Sequence, residues 1–164
     1  MAALERHRRA VQWPIRPRLV ARRRPCRPVR WQSLGALRLK AILDTSLLIA
    51  TDVEPLEGEL AISAASLAEL HFGVLVTADP AVRAERLRRL SLLQRTFDAL
   101  PVDDDVATSY GQLAAAVAAA GRQPRSRVMD ILIAATAHAH AARLYTRNPS
   151  ELAGIENLVE IVPA

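Results

Sequence analysis

Ala41-Ile42-Leu43-Asp44-Thr45-Ser46-Leu47-Leu48-Ile49-Ala50 places an acid and two hydroxyls between two apolar runs. The first run reads as a short buried strand ending at Asp44, and Thr45-Ser46 opens a helical stretch from Leu47 to Ala50. The same alternation continues downstream. Leu60-Ala61-Ile62 reads as a second strand, with Ser63 as the N-cap of a helix from Ala64 to about Val76. Pro80 opens a helix over 81–97, whose apolar stripe is Val82, Leu87, Leu90 and Leu93 among arginines. Leu100-Pro101-Val102 is a candidate third strand. The acids Asp103, Asp104 and Asp105 then suit the start of an Ala-rich helix that ends at Gly121. A helix over 127–141, a strand over 143–146, a helical turn over 149–152 and a last strand over 158–162 complete the pattern. Short strands alternating with helices imply an α/β fold of three layers, with a parallel sheet flanked by helices.

The charge divides the chain in two. Residues 1–40 carry 11 Arg and Lys40 against one acid, Glu5, a net charge of +11. Residues 41–164 carry ten Arg and 16 Asp or Glu, a net charge of −6. The high isoelectric point therefore belongs to the extension, and bulk basicity is no argument that the domain binds nucleic acid. Residues 1–39, with four Pro and weak periodicity, read as a basic, disordered extension or a misassigned start, or as an arm adding salt-dependent RNA affinity. Residues 40–164 read as the folded domain. The single cysteine, Cys26, excludes an intrachain disulfide and a Cys-based zinc site. No apolar run nears the roughly 20 residues that span a bilayer, and no secretory h-region stands at the start. The expected location is cytoplasmic, with no membrane partner. Lys40 as the only lysine beside 21 Arg points to a GC-rich bacterial genome.

Three acids lie in apolar surroundings. Asp44 ends the first strand, where open α/β sheets place ligands, although an acid there also serves as an N-cap. Glu69 shares a helix face with Ala65, Phe72, Gly73 and Val76, and is either a buried ligand or a rim acid reaching water. Asp130 opens Asp130-Ile131-Leu132-Ile133-Ala134-Ala135-Thr136-Ala137, a run with no other charge. It is either a ligand or a first-turn acid complementing the helix dipole. Oxygen ligands without cysteine suit Mg²⁺ or Mn²⁺, ions that bind phosphate oxygens and activate water. Spacing alone leaves open whether the three carboxylates converge.

Four blocks together resemble the VapC-type toxins of the PIN-domain family. They are residues 42–50, Leu67-Ala68-Glu69-Leu70, residues 129–137 and Leu144-Tyr145-Thr146-Arg147-Asn148-Pro149. Their order and separations fit across residues 41–164. The resemblance implies a PIN-like three-layer fold and a metal-dependent endoribonuclease, the toxin of a type II toxin–antitoxin system. It implies metal-ligand roles for Asp44 and Asp130, with Glu69 as the third catalytic acid. Ser46 would support them through a hydrogen bond to Asp44 or to a water on the Mg²⁺ or Mn²⁺ ion. The implied partners are an RNA substrate, a cognate antitoxin protein and a second copy of the chain in a homodimer. Many relatives carry a fourth acid where this chain reads Asn148-Pro149-Ser150-Glu151, which leaves Asn148 and Glu151 as candidates for that position.

Arg127 and Arg147, near the acidic blocks, are candidate RNA contacts, with solvated surface as the bland alternative; Arg122 and Arg125 share that reading. His138 and His140 are two apart on a helix and point in different directions, which speaks against a metal pair. Trp13 and Trp31 fall outside the domain, so it lacks the aromatic platform of a stacking-type single-strand binder. A phosphoaspartyl protein built on Asp44 is disfavoured. A dehalogenase-type phosphatase wants an Asp where Ser46 stands, and a receiver domain wants a late lysine. The remaining alternative is a catalytically silent PIN-like module that binds RNA or protein.

Overall fold

A computed structural model of the chain describes residues 40–164. The expectations for the basic extension over 1–39 lie outside the described residues. Four strands form one parallel sheet: β1 (Lys40–Leu43), β2 (Glu59–Ile62), β3 (Arg143–Thr146) and β4 (Ile161–Pro163), in the order β2-β1-β3-β4. Five α-helices connect and cover them: α1 (Thr45–Ile49), α2 (Ala64–Leu75), α3 (Pro80–Thr96), α4 (Asp104–Ala119) and α5 (Val128–Ala139). Single 3-10 turns occupy Pro124–Arg127 and Pro149–Leu152.

The strands are apolar on both faces because both faces are covered. On one face, Ile42, Ala61 and Leu144 pack with Val106, Leu113 and Val117 of α4 and with Ile131, Ile133 and Ala134 of α5. On the other, Ala41, Leu43, Ile62 and Tyr145 pack with Leu47 and Leu48 of α1, joined by Leu93 of α3. The strict alternation along each strand follows from the two-residue repeat of the pleat. Three layers result, as the sequence pattern implies.

Local chemistry sets the helix starts. The Ser63 hydroxyl accepts from the Ala65 amide, and its own bond with the Thr136 hydroxyl (2.9 Å) ties the start of α2 to α5 inside the core. Asp79 and Asp103 cap α3 and α4 through their carboxylates.

Three expectations need correction. Leu100-Pro101-Val102 is not a strand of the sheet. Leu100 makes one bridge beside Ser63, after which Pro101, having no N–H, cannot extend the ladder. The last strand starts at Ile161 rather than Leu158, because the amides of Leu158 and Val159 both turn back to the Ile155 carbonyl. The stripe of α3 is only half used. Leu90 is buried and Leu93 partly so, whereas Val82 and Leu87 face solvent.

Leu144 is 1% exposed on a central strand, on the face covered by α4 and α5. Leu144→Ala should cost about 2–5 kcal/mol through lost burial and the cavity left behind. A urea titration would show this as a lower midpoint at unchanged slope. A loss under about 1 kcal/mol would mean that this layer is not closely packed.

Candidate functional site

Parallel register assembles the centre of the site. Leu43 pairs with Ile62 on one side and Tyr145 on the other, so the strand ends bring Asp44 and Thr146 together at the carboxyl edge. Asp44 occupies the N-cap position of α1, yet its side chain makes no capping bond. Its Oδ2 accepts instead from the Ser46 hydroxyl (2.6 Å) and the Thr146 hydroxyl (2.7 Å). Those hydroxyls are fixed in turn, since the Arg147 amide donates to Ser46 Oγ and the Asn148 amide to Thr146 Oγ1. Asp44 thus stands at the N-cap position, but its carboxylate makes no bond to a helix amide and is oriented by one hydroxyl from the first turn of α1 and one from the end of β3.

Glu69 lies one turn into α2 and is half-buried. Its Oε2 accepts from the Thr45 hydroxyl at 2.6 Å. The apolar face foreseen around it exists only in part: Ala65 is buried, but Phe72 and Val76 are exposed. Glu69 therefore sits on the rim of a cleft of about 460 Å³, with Thr45, Leu70, Gly73, Arg86, Arg89 and Leu90 among its walls.

Asp130 is in the first turn of α5, half-buried beside a helix whose residues Ile131 and 133–137 are buried. Its pKa is pushed up to about 6, first by burial and then by the negative charges of Glu151, Glu69 and Asp44, against a small opposing effect of Arg127. Three carboxylates thus act on Asp130 at this edge. They do not yet form a closed ligand set: among the described residues, no three acids or imidazoles stand close enough to hold one ion. All the acidic side chains gathered here offer oxygen, and Arg127 offsets only part of the negative charge around Asp130. Both facts fit a hard divalent cation rather than a soft one.

The two candidates for the fourth position differ. Glu151 is exposed, but its charge is the strongest one acting on Asp130. The backbone there is gripped by arginines, with Arg127 donating to the Glu151 carbonyl (2.6 Å) and Arg122 to the carbonyls of Ser150 and Ala153. Asn148 contributes backbone bonds to Thr146 and Glu151. Arg147 pairs with Asp52 at 2.7 Å, and its hydrogen bond holds the exposed Asp52 carboxyl below the usual range. The two arginines foreseen as RNA contacts, Arg127 and Arg147, therefore both have partners within the chain. His138 bonds Ser109 and stays apart from the acids.

Sequence reasoning missed Thr45 and Thr146. Thr146 is only 1% exposed, and a hydroxyl ending an apolar strand next to an acid-tipped strand was the available signal. Thr45 carried no signal beyond following Asp44, because its partner lies 24 residues away.

Residues 41–150 match the PIN domain family. Ribonuclease VapC5 of Mycobacterium tuberculosis is 37% identical over 113 residues, covering 65% of this chain and 82% of that protein. Ribonuclease VapC8 of the same species is 38% identical over 100 residues, covering 58% and 88%. Among solved structures, a VapBC-5 toxin–antitoxin crystal structure from M. tuberculosis has a chain that superposes with a TM-score of 0.66 at 34% identity, covering 76% of this chain and 96% of that one. FitAcB of Neisseria gonorrhoeae, at 24% identity and a TM-score of 0.59, shares the fold.

The raised pKa of Asp130 has a signed consequence for the metal-free protein. An acid that ionises less readily when folded lends its stability below the unfolded value near 4 and loses it as pH climbs through about 6. Asp130→Asn removes that loss. The variant should be more stable than wild type at pH 7.5 by about 1 kcal/mol, a figure reduced for solvent screening at a half-buried site. Thermal melts in EDTA should show the two proteins converging near pH 4. An Asn variant less stable at pH 7.5 would mean that the charge at Asp130 is already compensated.

Proposed function

Because the chain belongs to the PIN-domain family, in its VapC-type branch, we propose that it is a Mg²⁺-dependent endoribonuclease, the toxin of a toxin–antitoxin pair. The observation that carries the reading is the negative charge gathered at Asp130, where Glu151, Glu69 and Asp44 act at the carboxyl edge of a parallel sheet and Arg127 offsets only part of it. RNA is a polyanion and residues 41–164 are acidic overall, so a phosphodiester approaching this edge is repelled unless a cation comes with it.

In this reading Asp44 and Asp130 hold the ion, Glu69 is the third catalytic acid and Glu151, rather than Asn148, fills the fourth position. A bound Mg²⁺ or Mn²⁺ supplies positive charge to the phosphate and lowers the pKa of a water. The chain's residues do the positioning. Ser46 and Thr146 direct Asp44 through its Oδ2, leaving its other carboxylate oxygen for the ligand. Thr45 steadies Glu69. Arg122 and Arg127 hold the turn that carries Glu151 toward Asp130. Arg147 becomes available to a substrate phosphate only by leaving Asp52. The structural relatives that are toxin–antitoxin complexes support a protein antitoxin as the inhibitor of this chain.

Two experiments test the reading. Mg²⁺ or Mn²⁺ should raise the melting temperature of wild type and leave Asp130→Asn unmoved, since only a state with an intact site is stabilised by the ion. Cleavage of a permissive RNA by wild type should require Mg²⁺, stop in EDTA and fall by about a hundredfold or more in Asp130→Asn. Glu151→Gln should cost activity, and Asn148→Asp should change it little. Equal cleavage by both proteins with and without EDTA would place the chemistry elsewhere. No cleavage under any condition, across many RNAs, would leave a silent RNA- or protein-binding module.

A further inference from the structure

The arginines of α3 have a use that its apolar pattern conceals. Arg83, Arg86 and Arg89 follow one another at intervals of three, and each guanidinium reaches the end of a neighbouring helix. Arg83 donates twice to the Thr77 carbonyl, just beyond α2. Arg86 donates to the Gly73 carbonyl and the Thr77 hydroxyl. Arg89 reaches back 40 residues and donates to the carbonyls of Ile49 (2.8 Å) and Ala50, at the C-terminal end of α1.

That end has little else to hold it. With five residues, α1 is far below the length at which a helix sustains itself, and its last turn contains no basic residue. Leu47 and Leu48 anchor it in the core, while Ile49 is 59% exposed. Yet α1 carries two of the three hydroxyls that orient the acids, Thr45 on Glu69 and Ser46 on Asp44, the third being Thr146 of β3. A planar fork on two successive terminal carbonyls satisfies groups that the helix leaves open, and it places positive charge where the helix dipole is negative.

We propose that Arg89 is a positioning residue for the nuclease site. It clamps the end of α1 so that Thr45 and Ser46 stay aligned with Glu69 and Asp44. The proposal rests on the nuclease reading above for its catalytic consequence, and on the geometry alone for its structural one.

Arg89→Met keeps the stem and removes the fork. Its kcat on RNA with Mg²⁺ should fall about tenfold to a hundredfold, the cost of misplacing catalytic groups, with KM nearly unchanged. Arg89→Lys, able to donate from one point only, should recover part of the loss. Arg89 lines the cleft of about 460 Å³, so millimolar guanidinium should enter the Met variant and restore activity without affecting wild type. Hydrogen exchange of residues 44–50 should quicken in Arg89→Met. Arg83→Met is the control. It removes a two-bond clamp from the same helix without touching α1, and it should keep both wild-type kcat and protection of residues 44–50.

Equal loss of kcat in Arg83→Met and Arg89→Met would reduce the role of Arg89 to general stability and overturn the proposal. So would unchanged exchange over residues 44–50 in Arg89→Met. If wild-type protein with Mg²⁺ cleaves no RNA, the nuclease reading fails by itself, and the exchange comparison still decides whether Arg89 clamps α1.

Discussion

Asp44 stands between the ends of two parallel strands, and its carboxylate is held by a hydroxyl from each side: Ser46 from the helix that follows it and Thr146 from the end of β3. This arrangement requires a parallel sheet. In an antiparallel pairing the carboxyl end of β3 would lie at the opposite edge, 102 residues of chain would return to the wrong place, and Thr146 could not reach Asp44. Parallel pairing in turn demands helical crossovers that cover both faces of the sheet. The two apolar layers, the helix order and the gathering of acids at one edge thus follow from the same constraint.

Gathering like charges works against folding, and the surrounding structure bears the cost. Asp130 carries that cost, since burial first and then three neighbouring carboxylates push its pKa up to about 6, with Arg127 opposing. The packed start of α5, the Ser63–Thr136 bond that joins α5 to α2, and the arginines gripping residues 150–153 hold this edge together.

Arginine is the main basic residue of the domain, and several of its guanidinium groups donate to backbone carbonyls. Arg83, Arg86 and Arg89 end helices, and Arg122 and Arg127 hold a 3-10 turn. Charge pattern and proximity to acidic blocks made Arg127 and Arg147 candidates for phosphate contact, but a guanidinium fork satisfies a carbonyl or a carboxylate as readily as a phosphate. Which of these it meets depends on the partner that packing supplies, and composition carries no record of that.

The strands at 40–43 and 143–146, the Ser63 cap and the turn at Pro149 were legible in the sequence because their causes are local: short apolar runs buried on both faces, a hydroxyl before a helix, a proline at a first turn. Asp44, Glu69 and Asp130 were legible as acids out of place in apolar neighbourhoods, and the four blocks in order pointed to the family. Only the tertiary structure decided that Leu100 makes a single bridge, that Val82 and Leu87 face water, and that Glu151 lies near enough to be the strongest charge acting on Asp130. It alone paired Thr146 with Asp44, Thr45 with Glu69 and Arg89 with the end of α1. Hydropathy and capping act over a few residues and leave their mark on the chain. Hydrogen bonds across 24, 40 or 102 residues depend on strand register and helix docking, which arise only when the whole core closes.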